Sequence, residues 1–311
     1  MSRKALWQLS QVAIVVAVLW FAGRRISAQW AELSAASATL APDYALLAAS
    51  AAIVALSYLV LIWTWQRTVR AWGEGLAFGD AARIWFVSNL GRYLPGKVWQ
   101  IGAMGMLAQR VGVSPVAAVG SSIVVSIVNI LAGAAVAVAS GAGGLDSPKW
   151  AIPATVVVAV GMVAAPWLLP MVARTASAIF RRDIRIARLP HSAVWIAAAG
   201  CTVAWVLYGV GFRCFHLALL GHATGTLAGS TATFTWSYLA GFLFLPAPGG
   251  IGVREGFMLD LLPRFGLATG GEALLLVLGS RLWLTILEVF PGVLFLLFGR
   301  RHAAITKPTP E

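Results

Sequence analysis

Two basic side chains flank a Pro-Gly pair in the first third of the chain. Arg92 precedes Pro95 and Gly96, and Lys97 follows them. Proline and glycine interrupt a helix, so the chain after them can begin a new half-helix with free backbone amides. Cationic side chains beside such amides can bind the phosphate of a headgroup. We therefore interpret Arg92 and Lys97 as candidate substrate ligands, with Gln100 as a further polar candidate.

A second segment of this kind lies in the last third of the chain. Arg254 and Glu255 come shortly after Pro248, Gly249 and Gly250. A guanidinium can bind two phosphate oxygens at once, so we expect Arg254 to carry most of the substrate binding, with Glu255 as a candidate beside it. The alternative is structural: Arg254 could pair with Glu255, or with a group of the first segment, and simply hold the chain in place.

Two further ionisable residues, Arg281 and Glu288, lie in the last strongly apolar run. Their spacing corresponds to two helical turns, so both side chains are expected on one helix face. Charges are costly inside a bilayer, and that face should therefore look into the protein. Both residues are candidate substrate ligands, and a salt bridge to Glu255 or Arg254 is the structural alternative.

The two Pro-Gly segments belong to a longer internal repeat. Residues 94–100 are echoed by 247–255, with an offset of 153 positions between Pro95 and Pro248. Downstream, Arg110-Val111-Gly112 matches Arg264-Phe265-Gly266 with an offset of 154 positions, so one inserted residue explains the drift. Helix breaks at equivalent places in two halves are typical of transporters built from repeats, in which the breaks form the substrate site near the bilayer midplane.

Composition places the chain in a membrane. It is 59% hydrophobic and 11% charged, with a mean hydropathy of +0.83, which leaves too little polar surface for a soluble protein of 311 residues. The net charge of +12 comes mainly from basic residues between apolar runs. In those places they orient the protein and attract anionic lipid headgroups. We therefore expect no nucleic-acid partner.

The apolar runs predict an all-α membrane protein with about six transmembrane helices. The predicted crossings are residues 5–22, 44–65, 116–140, 151–171, 193–219 and 272–298. The apolar approaches to the Pro-Gly pairs are too short to span and end in proline, so we predict two re-entrant helical hairpins, at about 81–110 and 233–265. Protein or water must then surround both breaks, because hydrocarbon cannot satisfy their freed backbone groups. Two loops at the membrane surface are the alternative.

Arginine and lysine counts give the expected orientation. The segment 173–193 carries five arginines and the tail 300–311 carries three basic residues, whereas 220–232 carries none. Basic loops stay in the cytoplasm, so we expect both termini there. Three predicted crossings separate the two hairpins, and this odd number makes the predicted repeats inverted. Residues 1–140 would form the first membrane repeat and residues 141–299 the second.

The sequence around both breaks resembles a known membrane family. The paired signatures of the lysylphosphatidylglycerol synthase transmembrane-region family, the flippase-like integral membrane proteins, are similar to residues 89–97 (NLGRYLPGK) and 246–256 (PAPGGIGVREG). The resemblance covers about residues 5–298 and implies a lipid-translocating membrane domain. Because the chain ends at Glu311 without a soluble aminoacyl-transferring domain, we do not expect it to synthesise lysylphosphatidylglycerol. The resemblance leaves the lipid open.

These observations predict a lipid translocase in the cytoplasmic membrane, which moves an anionic or zwitterionic headgroup between the leaflets. The alternative is an intramembrane lipid-modifying enzyme that acts on a polyprenyl or phospholipid headgroup, with Glu255 or Asp260 beside Arg254. No cluster of histidine, cysteine or acidic residues has metal-ligand spacing, and no glycine pattern is typical of a nucleotide site. We expect membrane lipids as partners and no metal, cofactor or catalytic residue. The sequence is compatible with a homo-oligomer.

Overall fold

The computed structural model describes residues 41–93, 98–141, 160, 190–244 and 248–298. Apart from the isolated position 160, these residues form eight α-helices, and they contain no strand. The helices are α1 (Tyr44–Ala71), α2 (Phe78–Asn89), α3 (Val98–Arg110), α4 (Pro115–Gly141), α5 (His191–Leu220), α6 (Leu227–Leu243), α7 (Val253–Arg264) and α8 (Gly270–Phe298). A 3-10 turn, Leu90–Tyr93, follows α2, and a second one, Pro248–Gly250, lies between α6 and α7.

Helices α1, α4, α5 and α8 are each 27 to 30 residues long and apolar enough to cross a membrane. They confirm the all-α membrane class, and their positions match four of the six predicted crossings. The other two predicted crossings, 5–22 and 151–171, lie outside the described residues. The five arginines of the segment 173–193 and the tail 300–311 lie outside them too.

The other four helices, α2, α3, α6 and α7, are 12 to 17 residues long. At 1.5 Å per residue they measure about 18 to 26 Å, less than the roughly 30 Å of a bilayer core. Helix α2 packs against α3, and α6 packs against α7. The predicted hairpin ranges, 81–110 and 233–265, fall on these two helix pairs.

Polar side chains fix several helix ends. The Asp43 carboxylate accepts hydrogen bonds from two backbone amides of the first turn of α1, at 2.8 and 3.0 Å. The Thr226 hydroxyl caps α6 in the same way, through the amide of Gly229. Between α5 and α6, the Arg213 guanidinium donates to the backbone carbonyls of residues 223–225. The short connection between these two helices is therefore held by the side chain of α5.

Small residues allow α1 and α5 to pack closely. Gly200 lies against Thr64 and Gly211 against Val54, and an added Cβ at either glycine would overlap the side chain opposite. The Ser50 hydroxyl also donates to the Gly211 carbonyl, at 2.6 Å. Close packing and interhelical hydrogen bonds are the forces that associate helices in lipid, where the hydrophobic effect between helices is absent.

The helices of the two halves make matching contacts. Helix α4 packs against α6, and the corresponding helices of the other half, α8 and α2, pack against each other too. Likewise α3 packs against α4, and α7 packs against α8. Helices α1 and α5 pack against each other. Most helix pairs of the described residues have such a counterpart when α1–α4 are exchanged with α5–α8, although α4 packs far more extensively against α5 than α8 does against α1. The two 3-10 turns also contact each other, so the two short helix pairs meet at their breaks.

Aromatic side chains fill the centre of this arrangement, and apolar ones cover its outside. Tyr208 stacks on Phe234 with 5.5 Å between the ring centroids, and Trp205 meets Tyr238 edge-on at 5.5 Å. On the outer faces of the long helices, large apolar side chains such as those of α8 are exposed. Lipid tails can cover these faces, as expected of a membrane protein.

Candidate functional site

The break before α7 is built from glycines. Gly249 and Gly250 have left-handed φ angles of 58° and 70°. Gly250 also lies directly against α6, so an added Cβ at this position would be only 2.7 Å from the Gly241 backbone. Glycine is the residue that meets both demands. Helix α7 then begins with the Gly252 amide donating to the Glu255 carboxylate at 2.5 Å, so Glu255 caps its first turn.

The break after α2 is closed by contacts between its two sides. Gly91 lies against the start of α3, where an added Cβ would be 2.8 Å from the Gln100 backbone nitrogen. The Gln100 side-chain amide donates to Asn89 Oδ1 at 2.6 Å. The start of α3 is thereby folded back onto the end of α2. Outside the described residues lie the other predicted residues of this break, Pro95, Gly96 and Lys97.

An ion pair joins the first break to the last helix. Arg92 Nη1 lies 2.9 Å from Glu288 Oε1 and 3.2 Å from the Tyr238 hydroxyl. Arg92 Nη2 donates to Asn89 Oδ1 at 3.3 Å, and the Tyr58 hydroxyl donates to Glu288 at 3.3 Å. A lone charge would be costly where so little solvent reaches it, and the network compensates both ions. It also connects α1, α2, α6 and α8.

Arg281 of α8 holds the second break. Its Nη1 atom donates to the Gly249 carbonyl at 2.9 Å and lies 3.6 Å from Glu255 Oε1. The salt bridge of Glu255 is therefore made with Arg281, and that of Glu288 with Arg92. In the described residues, neither of these carboxylates forms a salt bridge with Arg254.

Arg254 is held by aromatic rings instead. Its side chain is buried, and its guanidinium carbon lies 5.2 Å from the ring centroids of both Phe234 and Tyr238. These two aromatic residues are four positions apart and so share one face of α6. The Nη2 atom of Arg254 is buried and has no hydrogen-bond partner among the described residues. A buried guanidinium nitrogen in this state needs an acceptor from water or from a ligand.

The two breaks and α8 surround one cavity, which we call the arginine cavity. Its polar lining includes Arg92, Gln100, Tyr238, Arg254, Arg281 and Glu288. The cavity contains about 660 Å³ of space, part of it open to the surroundings. Among the described residues that line it, three arginines stand against one glutamate. The resulting positive charge attracts anions.

Five of the seven predicted substrate residues line the arginine cavity, together with two predicted break residues, Gly249 and Gly250. The five are Arg92, Gln100, Arg254, Arg281 and Glu288. Glu255 does not line it and is bonded to the Gly252 amide and to Arg281. Pro248 begins the 3-10 turn of the second break. Lys97 lies outside the described residues.

Sequence reasoning did not identify the aromatic pair that holds Arg254. The signal for Phe234 and Tyr238 is a run of serine and threonine at positions 230–238, STATFTWSY, inside an apolar segment. Small hydroxyl-bearing residues let a membrane helix pack closely within the protein, and five of these nine residues are serine or threonine. The spacing of the two aromatic residues places them together on one side of that helix.

Comparison with known proteins identifies a family for the chain. The family model described as the lysylphosphatidylglycerol synthase TM region matches residues 8–292, which include both helix breaks and α1 to α7 in full. No curated protein matches the chain. The family match confirms the resemblance predicted from the two break signatures, and it indicates a multi-pass membrane protein with a role connected with membrane lipids. The chain belongs to the family of the lysylphosphatidylglycerol synthase transmembrane region.

Proposed function

We propose that the protein is a lipid translocase, which moves a polar or phosphate-bearing lipid between the leaflets of the cytoplasmic membrane. The observation that carries the proposal is Arg254, which is buried in a positively charged cavity between two helix breaks and has one guanidinium nitrogen without a hydrogen-bond partner among the described residues. A phosphate oxygen is a strong acceptor for such a nitrogen, since charge-assisted hydrogen bonds from arginine to phosphate are short and often bidentate.

The three arginines of the cavity have different surroundings. Arg92 is paired with Glu288, and Arg281 is bonded to the Gly249 carbonyl and close to Glu255. Among the described residues, the guanidinium of Arg254 lies against the faces of two aromatic rings. Such stacking fixes the plane of a guanidinium and leaves its edge for a ligand. Arg254 would therefore bind the phosphate, while the other two arginines hold the breaks and add positive charge.

The acyl chains of the lipid would remain in the bilayer. The outer faces of the long helices expose large apolar side chains, which tails can follow. The arginine cavity itself is partly apolar, because Phe242 and Leu284 contribute to its wall. A headgroup inside the cavity and tails along the apolar outer surface would let the lipid cross without burying its charge in hydrocarbon.

The matching contacts of the two halves support a structural repeat, which we place at residues 1–140 and 141–299. The odd number of predicted crossings between the two breaks would make this repeat inverted. Both halves contain a pair of short helices with a break, and the two breaks contact each other. In transporters of this kind the substrate site lies at the repeat interface, and rocking of one repeat against the other opens it to either side. The two short helix pairs would be re-entrant hairpins, and both termini would face the cytoplasm.

The alternative of a lipid-modifying enzyme receives no support from the two carboxylates that would serve it. Asp260 pairs with Arg264 at 3.0 Å, and both side chains are more than half exposed. Glu255 is engaged by the Gly252 amide and by Arg281. Neither carboxylate is among the residues that line the arginine cavity.

The experiment that tests the proposal is a leaflet assay in proteoliposomes. Fluorescent phosphatidylglycerol, phosphatidylcholine and a polyprenyl phosphate are placed in both leaflets, and an impermeant quencher reports how fast the inner pool reaches the outside. We expect the protein to accelerate exchange of at least one of these lipids over protein-free vesicles. Exchange at the protein-free rate for all three lipids, with folded protein inserted in the vesicles, would contradict the proposal.

A further inference from the structure

A second cavity adjoins the arginine cavity. The two share a wall made of the Arg92–Glu288 ion pair together with Gln100, Tyr238 and Phe242. The second cavity continues from this wall into the first half of the chain, where α1, α2, α3 and α4 line it together with α5. A headgroup that reached past the ion pair would enter this space.

The described lining of the second cavity mixes polar and apolar side chains and carries no net charge. Among the described residues that line it, the ionised side chains are those of Arg92 and Glu288, which neutralise each other. The rest of its lining consists of amide, hydroxyl, aromatic and apolar side chains. Its chemistry therefore differs from that of the arginine cavity, which has an excess of guanidinium groups.

One face of α4 presents a row of polar side chains to this cavity. Ser122, Ser126 and Asn129 all line it, and their spacing of four and three residues places them on the same helix face. No hydrogen bond of the described structure joins the side chain of Ser126 or Asn129 to another protein group. The indole nitrogen of Trp85, a residue that also lines the cavity, is buried and has no hydrogen-bond partner in the described part of the chain.

We propose that the second cavity binds an uncharged, hydroxyl-rich part of the headgroup, a polyol or a sugar attached to the phosphate. Each hydroxyl of such a group both donates and accepts, and the amide of Asn129 and the hydroxyl of Ser126 offer both functions. The rings of Trp205 and Tyr208 supply apolar faces, which suit the C–H groups of a polyol, while the indole N–H of Trp205 donates to the Asn129 carbonyl at 2.9 Å.

The charged groups in the described lining of the second cavity favour a polyol over an amine-bearing headgroup. An ammonium group would need a carboxylate, and the one carboxylate in the described lining, Glu288, is already paired with Arg92 at 2.9 Å. Placement of the phosphate next to Arg254 rests on the proposed function. From there the polyol would extend across the shared wall towards Asn129.

Binding of short-chain lipids to the detergent-purified protein tests the inference independently of transport. Dihexanoyl phosphatidylglycerol and phosphatidylinositol carry polyols, whereas dihexanoyl phosphatidic acid carries the phosphate alone and phosphatidylethanolamine an amine. We expect calorimetry to give a Kd at least tenfold lower for the two polyol lipids than for the other two. Equal affinity for all four lipids, or a preference for the amine, would overturn the inference and leave the lipid-translocase proposal standing.

A double variant tests the residues themselves. Ser126→Ala with Asn129→Leu should bring the ratio of Kd values between phosphatidic acid and the polyol lipids close to one. The matched control is Ser121→Ala, on the same helix, since Ser121 is buried but does not line the cavity. This control variant should give the same ratio of Kd values as the native protein. A ratio that the double variant leaves unchanged would overturn the assignment.

Free glycerol 1-phosphate distinguishes a lipid from a soluble sugar or polyol phosphate. If the ligand is a lipid, dihexanoyl phosphatidylglycerol should bind at least tenfold more tightly than glycerol 1-phosphate, because its tails bury further apolar surface. Equal affinity for the two would contradict a lipid ligand for this cavity.

Discussion

Arg92 and Glu288 form an ion pair of 2.9 Å although 196 positions separate them in the chain. Arg92 lies in the turn of the first break, and Glu288 lies in α8, the last helix of the second half. Their side chains are 23% and 10% exposed, so the pair is largely withdrawn from solvent. It also forms the wall that the two cavities share.

The first prediction concerns this pair. Either single change, Arg92→Gln or Glu288→Gln, should lower the free energy of unfolding by about 2 to 3 kcal/mol, because it leaves one ion without its partner in a poorly solvated place. The double change should cost less than the sum of the two. A double-mutant cycle of thermal unfolding in detergent measures the difference, and strictly additive losses would argue against a coupled pair.

The second prediction compares two glycines near the second break. Gly250→Ala should destabilise the protein by about 2 kcal/mol or more, because Gly250 has a φ of 70° and its Cβ would meet the Gly241 backbone at 2.7 Å. Gly256→Ala is the control: Gly256 lies within α7, and a Cβ there would meet nothing within 4 Å. Thermal unfolding should separate the two variants. Equal melting temperatures would mean that the break does not require glycine at position 250.

Much of this arrangement could be predicted from sequence, because membrane helices and their breaks leave strong local signals. A long apolar run can satisfy its backbone only as a helix in lipid, so α1, α4, α5 and α8 follow from hydropathy. The Pro-Gly pairs mark the places where the short helices end. The charged residues of the site are conspicuous because few charges occur in apolar segments.

The partners of those charges could not be predicted. Whether Glu255 pairs with Arg254 or with Arg281 depends on how α7 packs against α8, and local spacing does not encode that packing. The same holds for Glu288, whose partner comes from the other half of the chain. The stacking of Arg254 on Phe234 and Tyr238 likewise depends on the contact between α6 and α7.

The third prediction separates the two roles of Tyr238. Its ring lies under the Arg254 guanidinium, and its hydroxyl interacts with Arg92 at 3.2 Å. Tyr238→Phe keeps the ring and should change lipid affinity by less than fivefold. Tyr238→Leu removes the ring and should weaken binding about tenfold, since a desolvated cation–π contact is worth about 1 to 2 kcal/mol. Binding of the short-chain lipids measures both changes. Equal losses of affinity in the two variants would contradict a role for the ring contact in lipid binding.

The fourth prediction concerns orientation. The connection between α5 and α6 contains no lysine or arginine, so position 222 should face the outside of the cell. His222 is exposed, and His222→Cys, with Cys201 and Cys214 replaced by alanine, supplies a single thiol. An impermeant thiol reagent should label it in intact cells. Labelling that requires opened cells would reverse the orientation and place the termini outside.

The central claim is that Arg254 binds the headgroup phosphate, and the leaflet assay in proteoliposomes tests it most directly. Arg254→Gln should reduce lipid exchange to the protein-free rate, and Arg254→Lys should retain part of it, because lysine keeps the charge but loses the planar fork. The control is Arg264→Gln on the same helix, an arginine that is 58% exposed and paired with Asp260. It should exchange lipid at the native rate.

One further variant distinguishes substrate binding from charge balance. Because Glu255 pairs with Arg281, adding Glu255→Gln to Arg254→Gln should not restore exchange. The account therefore predicts loss of exchange in both Arg254→Gln and the double variant, with folded and inserted protein in each. Exchange at the native rate in Arg254→Gln, or its recovery in the double variant, would contradict the claim.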